Sequence, residues 1–136
     1  MLSRARARYQ TVNNVGAVTG RDPIELVILV YDRIGDKLLM AEAAIAANRR
    51  AELGELVQQV VDLIEQGLVA ALDHERGGDV AVNLGRVYAY CVRRLLHANL
   101  WRDVVALREV AGLLAELREG WAFIRQDAAA GRVLAS

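Results

Sequence analysis

Apolar residues recur at three- and four-residue steps in four separate stretches of this chain, and that spacing suits only one kind of element, a helix with one buried face. The first stretch is Val27, Val30, Tyr31, Ile34, Leu38, Ala41 and Ile45. The second runs through Leu53, Leu56, Val57, Val60, Val61, Ile64, Leu68 and Leu72, with Glu52, Glu55, Gln58, Gln59, Asp62, Glu65 and Gln66 on its other faces. Ala81, Leu84, Tyr88, Cys91 and Leu95 form the third, and Leu107, Val110, Leu114, Leu117, Trp121 and Ile124 the fourth. Few aromatics and a single proline among abundant Ala, Leu, Val, Arg and Glu argue the same way.

Punctuation between the stretches marks the helix ends. Asp22 is a good N-cap, Pro23 fits the first helical position where its missing N–H costs nothing, and Glu25 completes a capping-box spacing. Asn48-Arg49-Arg50 interrupts the second boundary and Gly77-Gly78 the third. Asn99 is the candidate left-handed residue after the third helix, and Asp103 the cap of the fourth. Four amphipathic helices with short breaks bury their stripes most simply as an antiparallel up-down-up-down four-helix bundle, expected over residues 21–126. Residues 1–20 are expected to form a mobile N-terminal arm with Tyr9, Val12, Val15 and Val18 able to dock. Residues 127–136 show no clear periodicity and are expected to be a flexible tail.

Composition narrows the function. The 136 residues are 54% hydrophobic and 25% charged, which rules out disorder as the main state. Seventeen basic residues balance seventeen acidic ones, so the surplus of positive charge that replaces phosphate counterions is missing and no nucleic acid is expected as partner. The apolar run Leu26–Tyr31 is far too short for membrane insertion. One cysteine, Cys91, cannot form an intrachain disulfide and suits a reducing compartment, hence the cytoplasm.

Enzyme chemistry finds no footing. A di-metal bundle needs Glu-x-x-His pairs, and neither His74 nor His97 has Glu three residues before it. Cys91 lies on an apolar face, as a small buried hydrophobe does. Gly77-Gly78 is too short for a phosphate-cradling loop. No catalytic residue, cofactor or metal is therefore expected.

Two features point toward a binding surface instead. Leu26–Tyr31 is apolar all the way round, so part of it, with Ile28 and Leu29 as candidates, faces either a thick core or a groove for a partner helix. On the third helix Asn83, Val87, Tyr90 and Arg94 are spaced by four, three and four, on a flank between the charged and core lines. Such a stripe either hydrogen-bonds to the second or fourth helix or offers a peptide an apolar floor, an aromatic anchor and orienting donors.

The segment Leu72-Asp73-His74-Glu75-Arg76-Gly77-Gly78-Asp79-Val80-Ala81-Val82-Asn83-Leu84 resembles the form Leu-Asp-x-Glu-x-Gly-Gly-Glu-Ile-Ala-x-Asn-Leu of the flagellar secretion chaperones, the FliS family. The likeness continues through Tyr88-Ala89-Tyr90, Arg93-Arg94-Leu95 and Ala98-Asn99-Leu100, and takes in Tyr9-Gln10, Pro23, Glu25-Leu26, Tyr31-Asp32, Glu109-Val110 and Trp121. It departs at Arg21-Asp22-Pro23 in place of Ala-Ser-Pro, at Asp32-Arg33-Ile34 in place of Asp-Gly-Ala, and at Trp101, where a polar or charged residue is usual.

The resemblance implies a bundle without enzymatic activity. Its partners would be the disordered C-terminal segment of flagellin, held in the cytoplasm against premature polymerisation, and then the flagellar export apparatus. It also implies that the N-terminal arm, through Tyr9, occupies part of the client groove when no client is bound, and leaves room for a homodimer without client. Partner-binding residues are therefore expected at Tyr9, Ile28, Leu29, Asn83, Val87, Tyr90 and Arg94. The alternative is a helical adaptor or self-associating bundle that binds another protein.

Overall fold

In the structure, a computed structural model that describes residues 22–135, with side chains through Ala128, Asp22 opens the first helix. Its carboxylate oxygen Oδ1 accepts the Glu25 backbone N–H at 2.7 Å, and Pro23 takes the first helical position. Helix α1 spans Pro23–Ala46 and ends at a turn in which Asn48 adopts φ 57°, the left-handed region that Asn tolerates better than most residues. Helix α2, Arg50–Leu63, continues as a π-helix over Ile64–Val69. A short turn leads into α3, His74–Trp101, and a second into α4, Val104–Ala135.

The π-helix packs against α1. A Cβ placed on Gly67 would lie 2.9 Å from Val30 Cγ1, so the missing side chain at Gly67 makes room for the Val30 side chain of α1.

Three boundaries differ from expectation. The break at Gly77-Gly78 is a kink inside α3, because Asp73 already caps a helix start at His74 by accepting the Arg76 N–H at 3.1 Å. Gly78 then leaves helical geometry at φ 50°, ψ −124°, a conformation that a side chain would strain. The left-handed residue that ends α3 is Arg102 (φ 51°), not Asn99, which stays helical beside Gly54 of α2. Arg102 is held there by donating to the side-chain oxygen of Asn48, so the two left-handed residues meet. Finally, the backbone remains helical past Asp127 to Ala135. Asp103 caps α4 as expected, accepting the Val105 and Ala106 N–H groups at 3.0 and 3.3 Å.

Helix α1 packs on α2 and α4, and α3 packs on the same two, while α1 and α3 lie diagonally across the core. With short turns between them, the four helices form the antiparallel up-down-up-down bundle. Ile34, Leu53, Val60, Ile64, Leu95, Leu107 and Val110 fill the interior. Burying each such side chain contributes about 1.5–3 kcal/mol. Exposed ion pairs such as Arg49–Glu52 contribute about 1 kcal/mol or less, so the apolar interior holds the bundle. No helix among the described residues is long and apolar enough to cross a membrane.

Candidate functional site

The four-three-four spacing of Asn83, Val87, Tyr90 and Arg94 does bring these residues onto one flank of α3, the flank beside α4. Asn83 is exposed, Val87 is half-buried against the core, and Tyr90 is 36% exposed. The polar ends of the stripe converge on one acceptor. Tyr90 Oη donates to Glu109 Oε1 of α4 at 2.9 Å, and Arg94 Nε donates to the same oxygen at 2.8 Å. The Arg93 guanidinium lies 5.9 Å from the Tyr90 ring centroid, within cation–π range.

The electrostatics follow from that geometry. The hydrogen bonds from Tyr90 and Arg94 pull the Glu109 carboxyl below its ordinary value, and the same carboxylate pushes the Tyr90 phenol up. Two of the orienting donors read from the sequence, the Tyr90 hydroxyl and Arg94 Nε, are thus already taken by the fourth helix. What the stripe offers outward is the Tyr90 ring, Val87 and Asn83.

On α1 the two candidates separate. Ile28 is buried and Leu29 is 43% exposed, so Leu29 alone presents apolar surface. Because α1 and α3 are diagonal, Leu29 and the α3 stripe do not border one groove. Tyr9 lies outside the described residues.

A groove that the sequence reading did not assign runs between α1 and α4. Its cleft, about 330 Å³, has an apolar lining that includes Ile34, Leu38, Leu39 and Leu114. Small residues at Gly35, Ala111 and Ala115 keep its walls low. Arg118 Nε to Asp32 Oδ1 at 2.5 Å and Arg108 Nε to Glu42 Oε1 at 2.9 Å link α1 to α4 on either side of it. The signal in sequence was Gly35 one turn after Tyr31 and the Ala111/Ala115 pair, but only the packing of α1 on α4 makes them one surface.

Beneath this groove Tyr31 and Tyr88 meet across the core, hydroxyl to hydroxyl at 2.5 Å. Burial pushes both phenols above their ordinary value. Burial likewise pushes the Cys91 thiol up to about 11, leaving it protonated near neutral pH. No cluster of three or more His, Cys, Asp or Glu that could hold a metal occurs among the described residues. Tyr90, Arg94 and Glu109 bind each other, and the surface left over is the Tyr90 ring, Val87, Asn83 and the mainly apolar α1–α4 groove.

Residues 5–128 match the family described as flagellar protein FliS. The chain belongs to the FliS family. It is similar to the flagellar secretion chaperone FliS of Salmonella typhimurium, 36% identical over 113 residues covering 83% of this chain and 84% of that one. The flagellar secretion chaperone FliSB of Pseudomonas aeruginosa is 36% identical over 118 residues, 87% of this chain and 93% of that one. The Bacillus subtilis FliS, also named a flagellar secretion chaperone, is 28% identical over 109 residues, 80% and 77% of the two chains. The segment Leu72–Leu84, which carried the FliS resemblance, builds the capped and kinked start of α3.

Proposed function

We propose that this FliS-family chain is a cytoplasmic export chaperone that binds the disordered C-terminal segment of flagellin and passes it to the flagellar export apparatus. Family membership over residues 5–128 carries the reading. The geometry supports it, since apolar side chains remain exposed along α1 and α3 and an apolar groove lies between α1 and α4. Flagellin's terminal segments assemble by helix packing, so covering their apolar faces prevents polymerisation. A client that folds on binding spends about 2–5 kcal/mol or more on ordering, which keeps the complex reversible.

In this reading the client packs on Leu29, on the α1–α4 groove, and on Asn83, Val87 and the Tyr90 ring, with Arg94 holding the Tyr90–Glu109 rim in place. Ile28 supports Leu29 from beneath. Tyr9 competes for part of this surface when the client is absent. Calorimetric titration with a synthetic flagellin C-terminal peptide tests it. Tyr90→Ala should weaken binding roughly thirtyfold, as loss of a central aromatic anchor does, with little change in melting. Unchanged affinity and melting would remove Tyr90 from the site, and a large fall in melting temperature would assign it to packing. Deleting residues 1–18 should leave client binding intact or tighter, and weaker binding would make the arm a contact instead of a competitor. On gel filtration, the chain should form a 1:1 complex with flagellin, and a homodimer that ignores flagellin would overturn the chaperone reading.

A further inference from the structure

Where α3 turns into α4, large apolar side chains stand in solvent beside unpaired positive charge. Leu100 is 73% exposed and Trp101 69%, and Leu96, one turn earlier on the Leu100 side, is also exposed. Leu100 and Trp101 border a cleft of about 210 Å³ whose other walls are Arg50, Leu53, Asn99 and Arg102. Leu53, fully buried, closes its base.

The lining holds two guanidinium groups and no carboxylate. Arg102 donates to the Asn48 amide oxygen, and Arg50 makes no ion pair among the described residues. The acids nearest in sequence are engaged elsewhere: Glu52 pairs with Arg49 at 3.5 Å, and Asp103 accepts the α4 amides and lies 3.2 Å from His97 Nε2. By contrast Arg94, Arg108, Arg118 and Arg125, at the interhelical rims, each hold a carboxylate. This cleft is where the bundle leaves arginine unpaired next to an exposed tryptophan.

We propose that the cleft is a docking site for a partner-protein segment that carries a carboxylate beside a large apolar side chain. Guanidinium groups take carboxylates in paired hydrogen bonds, and Trp and Arg are the residue types that anchor interfaces. The flank of Leu100 and Trp101 receives the apolar neighbour. A second copy of this chain does not fit, because an isologous contact would set the two arginine pairs against each other with no acid in either patch. A nucleic acid or an anionic membrane would call for a wider basic field than two arginines on a chain of zero net charge.

The test uses the full chain labelled with nitrogen-15, whose two tryptophans give two indole N–H signals, assigned by Trp101→Phe. The probe is the peptide acetyl-Leu-Glu-Asp-Leu-Phe-amide, and its control replaces the acids to give acetyl-Leu-Gln-Asn-Leu-Phe-amide. The Trp101 signal should shift saturably with the acidic peptide while Trp121 stays in place. The neutral peptide, and Arg50→Gln with the acidic one, should each bind about tenfold more weakly, as expected for loss of a charge-assisted hydrogen-bonded pair. Arg102→Gln should do the same, and because it alters the turn its melting is measured alongside, with Arg50→Gln deciding if it unfolds. Equal binding of both peptides, or no shift with either, overturns the proposal. So does a Trp101 signal that moves with protein concentration alone, or only with anionic vesicles. These outcomes are read without flagellin, so they stand apart from the fate of the chaperone reading.

Discussion

Replacing Tyr31 or Tyr88 with Phe removes one of two hydroxyls that meet inside the core. The residues are 3% and 1% exposed and come from diagonal helices, so water does not replace the lost partner. A buried hydroxyl left unpaired costs about 1–3 kcal/mol. The Trp121 indole stands by both hydroxyls, favouring their charged forms, and eases the loss for whichever remains. Each single variant should therefore lose about 1–2 kcal/mol, the lower part of that range. For a chain of this size that is a fall in Tm of roughly 3–10 °C.

The double variant keeps both rings and removes both polar groups, so nothing is stranded except an indole N–H that is only half-buried. It should return to within about 1 kcal/mol of the parent, far from the sum of the two losses. Urea unfolding followed by circular dichroism, with a double-mutant cycle, measures this. Additive losses would show that the hydroxyls do not depend on each other, and would refute the claim that this pair links α1 to α3.

Three further outcomes follow from packing and charge. Gly67→Ala sets a methyl 2.9 Å from Val30 Cγ1 and should destabilise by about 1–3 kcal/mol despite the better helix former, with Val30→Ala on top restoring most of it; equal stability of parent and Gly67→Ala refutes the close approach. Glu109 has its folded pKa below the ordinary 4.5, so its contribution is complete above that value and lost as pH falls through the folded one; the melting gap between parent and Glu109→Gln should close in acid, and a gap that widens there has the wrong sign. Cys91, buried with its thiol pushed up to about 11, should react with iodoacetamide at pH 8 only as fast as the bundle opens, so fast labelling of the folded chain would contradict its burial.

What the sequence revealed divides by the range of the cause. Asp22 and Asp103 were legible because a cap acts within three residues. The buried stripes were legible because period alone places Ile34, Val60, Leu95 and Val110 on inner faces. Gly77-Gly78 was legible as a break but not as a kink, since the competing cap at Asp73 reads like any surface acid. Asn99 has the right local preference for a left-handed end, yet its place beside Gly54 and the Arg102–Asn48 contact moved that end three residues on. The tail past Asp127 lacks an apolar period, but its alanines need none to remain helical. Of the candidate site, the flank itself could be read; that Glu109 closes its polar side could not, because that depends on the offset between α3 and α4.

That closure bears on how the proposed client would bind. A partner carbonyl that takes over the Tyr90 or Arg94 hydrogen bond must first displace Glu109, so one bond is exchanged for another and the net gain is small. The same holds between α1 and α4, where Asp32 and Glu42 already occupy Arg118 and Arg108. Polar rims of this kind can set register and reject wrong partners, but they add little affinity. Affinity has to come from apolar contact with Leu29, Leu39, Val87 and the Tyr90 ring, which grows with the area a client covers and falls away piece by piece as the client is peeled off. A surface that pairs its own charges and leaves its apolar groups open is therefore suited to a segment that must be held along its length and released from one end.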